Sequence, residues 1–86
     1  MVMLRLLYFA RLREQFGMSA EEVNLPVSVQ DVKGLTDWLR ARGGAWESEL
    51  ASGRPVRVAV NQDMASPEQS IHPGDEIAFF PPVTGG

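Results

Sequence analysis

The 86-residue sequence predicts an α+β domain: a mixed sheet of four to five strands with one main helix packed on one face. Three observations carry this expectation. Segments at both ends alternate apolar residues with a strand's period. One central stretch instead repeats them at helical spacing. The length supports one core and no more.

Val2 to Phe9 reads as the first strand, with Val2, Leu4, Leu6 and Tyr8 on one face and Met3, Arg5, Leu7 and Phe9 on the other. Arg5 marks that second face as the outer one. Ala10 to Phe16 predicts a short helix, with Leu12 and Phe16 at i and i+4 and Gly17 as its stop. Glu21 to Leu25 alternates again and ends at Pro26, so it should pair with the first strand through an enlarged hairpin loop. Ser28, three residues before Asp31, is a weak capping-box variant. Val29, Val32, Leu35, Trp38 and Leu39 then follow at near-helical spacing, and Gly43-Gly44 closes the main helix. Ala45 to Leu50 can add one more turn. Val56 to Asn61 predicts a strand with three valines on one face, and Met64-Ala65 a short edge strand. His72-Pro73-Gly74-Asp75 has proline and glycine where a type II turn favours them, and it launches the last strand, Glu76 to Phe80.

Strand, strand, helix, strand, short strand, strand requires the helix to cover one face of one sheet. With the first and last strands side by side in the middle, the architecture is the β-grasp, or ubiquitin-like, fold. The domain should run over 1–80, followed by an extended tail at 81–86. If the helix covers the valine face, the outer face carries Leu7, Phe9, Ala59, Ala78 and Phe80, with Met64 near its edge. Two phenylalanines and a leucine on adjacent central strands make a patch that suits a protein partner. The alternative is that the segment holding Leu12, Phe16 and Met18 folds over it.

Composition narrows the function classes. The chain has no cysteine, so it has no disulfide and no thiol nucleophile, and any sulfur chemistry must use sulfur brought to it. Eight basic against eleven acidic residues give a net charge of −3 without a basic cluster, which argues against nucleic acid. The longest apolar run is far short of the roughly 20 residues of a membrane span, and the start lacks signal-peptide character, so a cytoplasmic location is expected. His72, the one histidine, sits in a predicted turn with no second ligand to complete a metal site. Neighbouring acids at Glu21-Glu22 and Asp75-Glu76 point to opposite faces of their strands and do not converge.

The ending Pro81-Pro82-Val83-Thr84-Gly85-Gly86 reads as a segment built to be presented. A Gly-Gly pair closes about one chain in two hundred by chance. Six extended residues reach about 20 Å, enough to thread a narrow channel, and two glycines leave the terminal carboxylate unhindered. A carboxylate is a poor acyl donor because oxide is a very poor leaving group. Activation as a mixed anhydride with AMP removes that obstacle, and attack by sulfur then leaves a thiocarboxylate. The chain has no phosphate-cradling glycine loop followed by lysine, so it should bind no cofactor itself, and ATP should be used by a separate adenylating enzyme.

The segment Gly74-Asp75-Glu76-Ile77-Ala78-Phe79-Phe80-Pro81-Pro82-Val83-Thr84-Gly85-Gly86 resembles the end of the molybdopterin synthase small-subunit family, the MoaD-type sulfur carriers. Leu7-Tyr8-Phe9-Ala10-Arg11-Leu12-Arg13-Glu14 and Ala59-Val60-Asn61-Gln62 are similar to that family's first strand and helix and to its middle. The resemblance implies a β-grasp carrier, not catalytic alone, whose Gly86 is adenylated by an E1-like enzyme and converted to a thiocarboxylate. A sulfurtransferase or cysteine desulfurase would supply the sulfur. It further implies a large-subunit partner in a heterotetramer of two large and two small subunits. The tail would enter the large subunit's active site and give sulfur to cyclic pyranopterin monophosphate to build the molybdopterin dithiolene of the molybdenum cofactor. Family interface positions match Phe9, Met64 and Phe80. Alternatives are a ubiquitin-like protein modifier, a sulfur carrier for thiamine or tRNA thiolation, or an interaction module acting through the Phe9/Phe80 face alone.

Overall fold

The structure, a computed structural model, describes residues 2–51 and 55–81, the side chain of Val2 excepted. In chain order the elements are β1 (Val2–Tyr8), α1 (Arg11–Phe16), β2 (Ala20–Leu25), α2 (Val32–Arg40), α3 (Gly44–Glu49), β3 (Arg57–Val60), β4 (Asp63–Met64) and β5 (Glu76–Phe80). The five strands form one sheet in the order β2-β1-β5-β3-β4. Here β1 and β5 are the parallel central pair, and the other neighbours are antiparallel. This is the β-grasp arrangement expected from the order of elements.

Alternation in β1 places Leu4, Leu6 and Tyr8 in the core, where they meet Val23 and Leu25 of β2, Val58 and Val60 of β3, and Ile77 and Phe79 of β5. The helical side contributes Leu12, Phe16, Val32, Leu35, Leu39 and Leu50 to the same cluster. Three helical segments therefore share the cover that the sequence assigns mainly to one. The Phe16 and Trp46 rings stack at 3.8 Å, and both meet Tyr8 edge-on, so α1 and α3 close the core at the end where β1 finishes.

Some boundaries differ from expectation. The cap of α2 is Asp31, not Ser28: its carboxylate accepts from the Gly34 amide at 2.7 Å. Ser28 and Val29 belong to a turn closed by the Val29 amide on the Pro26 carbonyl. An isolated bridge between Asp31 and Ser70 holds the residue before the helix extended, which fixes the start three residues later than the spacing suggests. Strand β3 omits Val56 and Asn61, and β4 is Asp63–Met64 rather than Met64-Ala65. Val56 lies beyond the last ladder pair, Arg57 with Phe80, where β5 ends, and the tight hairpin accounts for the other two differences. Val60 pairs with Asp63, and Asn61 and Gln62 both take positive φ, the signature of a type I′ turn. The Pro-Gly turn forms as predicted, with Gly74 at φ +88° and the Asp75 amide on the His72 carbonyl.

A polar chain running from the buried Tyr8 to the surface ties the sheet to the segment after α2. The Tyr8 hydroxyl donates to Glu21 at 2.7 Å, and Arg42 donates to both Glu21 oxygens while its guanidinium lies over Trp46 and Trp38. Burial, reinforced by the Glu21 hydrogen bond and charge, pushes the Tyr8 phenol well above its ordinary range. Burial raises the Glu21 carboxyl, but hydrogen bonds from Arg42 and Tyr8 outweigh it and hold the carboxyl below its usual value. Nearby, the buried Glu49 carboxylate accepts two hydrogen bonds from Arg11.

Candidate functional site: the outer sheet face and the root of the tail

Strand register orders the face opposite the helices into rows. Ala20, Leu7, Ala78, Ala59 and Met64 stand side by side across all five strands. Same-face neighbours along a strand lie two residues apart, about 7 Å, so the next row toward the end of β5 is Phe9, Phe80 and Arg57. Arg57 faces Phe80 directly in the ladder. The Phe9 and Phe80 rings meet edge-to-face at 6.4 Å. On the other side the row Glu22, Arg5, Glu76 is charged, with Arg5 Nε 3.9 Å from Glu76. An apolar band thus has a charged border on one side and an aromatic pair at the other, where β5 ends.

Exposure varies within the band. Phe9 and Met64 are open, at 46% and 58%, while Leu7, Ala78 and Phe80 are half-buried. Ala59 is buried, at 6%. A methyl group in a central strand, between Ala78 and Met64, does not rise above its neighbours, so Ala59 forms the floor of the patch rather than its surface. Leu12 and Phe16 lie in the core on the helical side, and Met18 packs against that core. The expected alternative cover therefore does not lie over Phe9 and Phe80.

The end of β5 is held firmly. Phe79 is fully buried and stacks on Tyr8 at 5.9 Å, and its carbonyl accepts the Phe9 amide at 3.1 Å. One residue later Phe80 points outward, and Pro81 is half-buried. Pro82, Val83, Thr84, Gly85 and Gly86, singled out in the sequence, lie outside the described residues.

Three features escaped the sequence reading. Arg57 belongs to the aromatic row, which only the β3–β5 register shows. Ala10 takes φ +53° and ψ −127°, a region that alanine pays for with roughly 1–3 kcal/mol. This sharp turn sends the chain into α1 directly after Phe9, leaving that ring at the strand end. At the start of β5, the Asn61 side chain donates to Asp75 at 3.0 Å and accepts from the Glu76 amide at 3.0 Å. The hairpin tip is thus clamped to the strand that leads to the tail.

Among the described residues no group of three or more His, Asp or Glu side chains could hold a metal ion. His72 is exposed and 3.9 Å from the Asp75 carboxylate. The geometry presents an exposed apolar face beside the end of β5. No described helix is long and apolar enough to cross a membrane.

The profile of the ThiS family matches residues 6–86. The molybdopterin synthase sulfur carrier subunits of Haemophilus influenzae and Escherichia coli are each 39% identical to the chain over 84 residues, covering 98% of it and 100% of theirs. A crystal structure of SAMP1 from Haloferax volcanii superposes with a TM-score of 0.80 at 28% identity, covering 98% of this chain and 99% of that one. With relatives matched along nearly its whole length and a ubiquitin-like sheet common to them, the chain belongs to the ThiS family.

Proposed function

We propose that the chain is the sulfur-carrier small subunit of a molybdopterin synthase. In this reading a partner adenylating enzyme uses ATP to activate the Gly86 carboxylate as an acyl adenylate. A persulfide on a sulfurtransferase or cysteine desulfurase displaces AMP to give an acyl disulfide, and attack of a thiol on that S–S bond then releases the thiocarboxylate and leaves a disulfide between the two thiols. The carrier seats its outer face on a large subunit, two of each forming a heterotetramer, and the tail delivers sulfur to cyclic pyranopterin monophosphate in the cytoplasm. The observation that carries the reading is the placement of Phe9 and Phe80 beside the exit of β5: a partner bound there receives whatever follows Pro81. Relatives that carry the name of a synthase subunit support the choice of partner.

The experiment is intact-mass analysis after incubation with the adenylating enzyme, ATP and the sulfur source. The expected result is a gain corresponding to sulfur replacing oxygen at Gly86, lost on incubation with large subunit and substrate. An unchanged mass, or unchanged synthesis by a chain extended by one residue beyond Gly86, defeats the reading. Likeness to SAMP1, an archaeal modifier, favours a second role in which the same activated carboxyl forms isopeptide bonds with lysines. Conjugates joined through Gly86 in cell extract identify it.

A further inference from the structure

A groove of about 470 Å³ lies between α2 and the β3–β4 hairpin, around the sheet edge from the outer face. Its floor is apolar, made by Val32 and Val58 of the core with half-buried Val56 and Ala65. Its rim carries Lys33, Arg40 and Arg57 against a single carboxylate, Asp37. Among the described residues Lys33 and Arg57 make no ion pair. Arg40 uses one terminal nitrogen on Asp37 at 3.0 Å, while its Nε is buried without an acceptor. A surplus of cations here contrasts with the net charge of −3 on the whole chain. We propose that this groove is a second docking site, taking a short extended segment of a partner protein that alternates acidic and apolar side chains.

The dimensions fit that occupant. Lys33 and Arg40 are seven residues apart on α2, about 10 Å along the helix axis, which three to four extended residues span. The volume lies within the roughly 300–1,000 Å³ of sites that bury a compact ligand. Apolar side chains would meet the valine floor, and carboxylates would reach the charged ends of the three cations, where charge-assisted bonds are strongest. A route is also present. Met64 and Arg57 line the groove and stand in the outer-face rows, and β4 has β3 as its one strand neighbour. A partner on the outer face can pass over this two-residue edge without a gap. The proposal rests on the outer-face reading for that route alone.

The test is an amide NMR titration of the full chain with a capped octapeptide alternating aspartate with leucine and valine, and with its lysine-for-aspartate counterpart. The expected result is saturable shifts at residues 32–40, 56–58 and 64–65 with the acidic peptide alone. Lys33→Glu combined with Arg40→Glu should weaken it about tenfold at low salt with an unchanged circular dichroism spectrum. Phe9→Asp, two strands away from Arg57 and outside the groove lining, should leave peptide binding intact while reducing binding of the large subunit, which separates this site from the outer face. Equal binding of both peptides, shifts confined to the outer face, or no saturable shift overturns the proposal even if the large subunit binds normally.

Discussion

Adjacent phenylalanines offer the sharpest test of how the end of β5 divides between stability and recognition. Phe79 is fully buried against Tyr8, and Phe80 stands half-exposed beside Phe9. Removing a buried phenyl ring costs about 3–5 kcal/mol, so Phe79→Ala should unfold a large part of a domain of this size. Phe80→Ala forfeits in the free chain mainly an edge-to-face pair, about 0.5–1.5 kcal/mol. In a complex docked through the outer face as proposed, the same ring would be an anchor at the end of β5. Losing its burial should cost about 1.5–3 kcal/mol of affinity, or roughly 10- to 150-fold in Kd. Phe80→Asp adds a desolvated carboxylate at an apolar contact and should weaken binding further. Calorimetric titration of the large subunit into wild type, Phe80→Ala and Phe80→Asp measures this, with urea unfolding of each variant as the control for folding. A Phe80→Asp variant that binds within threefold of wild type would refute the assignment of this face as the interface.

Three further outcomes are expected. Glu21 is held below its unfolded pKa, so its contribution is present above that value, about 4.3, and is lost as pH falls through the lower folded value. Glu21→Gln should therefore lower stability at pH 7 and flatten its acid dependence below about pH 4, as read by urea midpoints across pH; an unchanged profile would rule out the Tyr8–Glu21–Arg42 linkage. Asp31→Ala removes the α2 cap and should cost about 1 kcal/mol, whereas Ser28→Ala should be nearly neutral in the same denaturation assay. Ala10→Gly relieves the positive φ after Phe9 and should raise stability by about 1 kcal/mol; a loss would show that Ala10 is unstrained.

Much of the fold was legible because it is written in local periods. Alternation in Val2–Tyr8 and Glu76–Phe80 separates core from outer face residue by residue, and Pro73-Gly74 specifies its turn through the geometry of two residues. Asp31 was harder. Capping depends on whether the capping residue itself is held extended, and here a bridge to Ser70, distant in sequence, does that. The type I′ turn at Asn61-Gln62 lacks its usual glycine, and the Asp75 and Glu76 contacts that support it come from another strand.

The residues themselves determined that this chain has one helix-covered sheet, an apolar outer band and no thiol. Periodicity and composition are properties each segment carries alone. Tertiary structure decided which outer residues form the surface of that band and which its floor, as the burial of Ala59 between Ala78 and Met64 shows. It also placed Arg57 opposite Phe80, stacked Trp46 on Phe16, and opened a cationic groove beside α2. These depend on register and on contacts between distant segments, which arise only when the strands pair and the helices close over them.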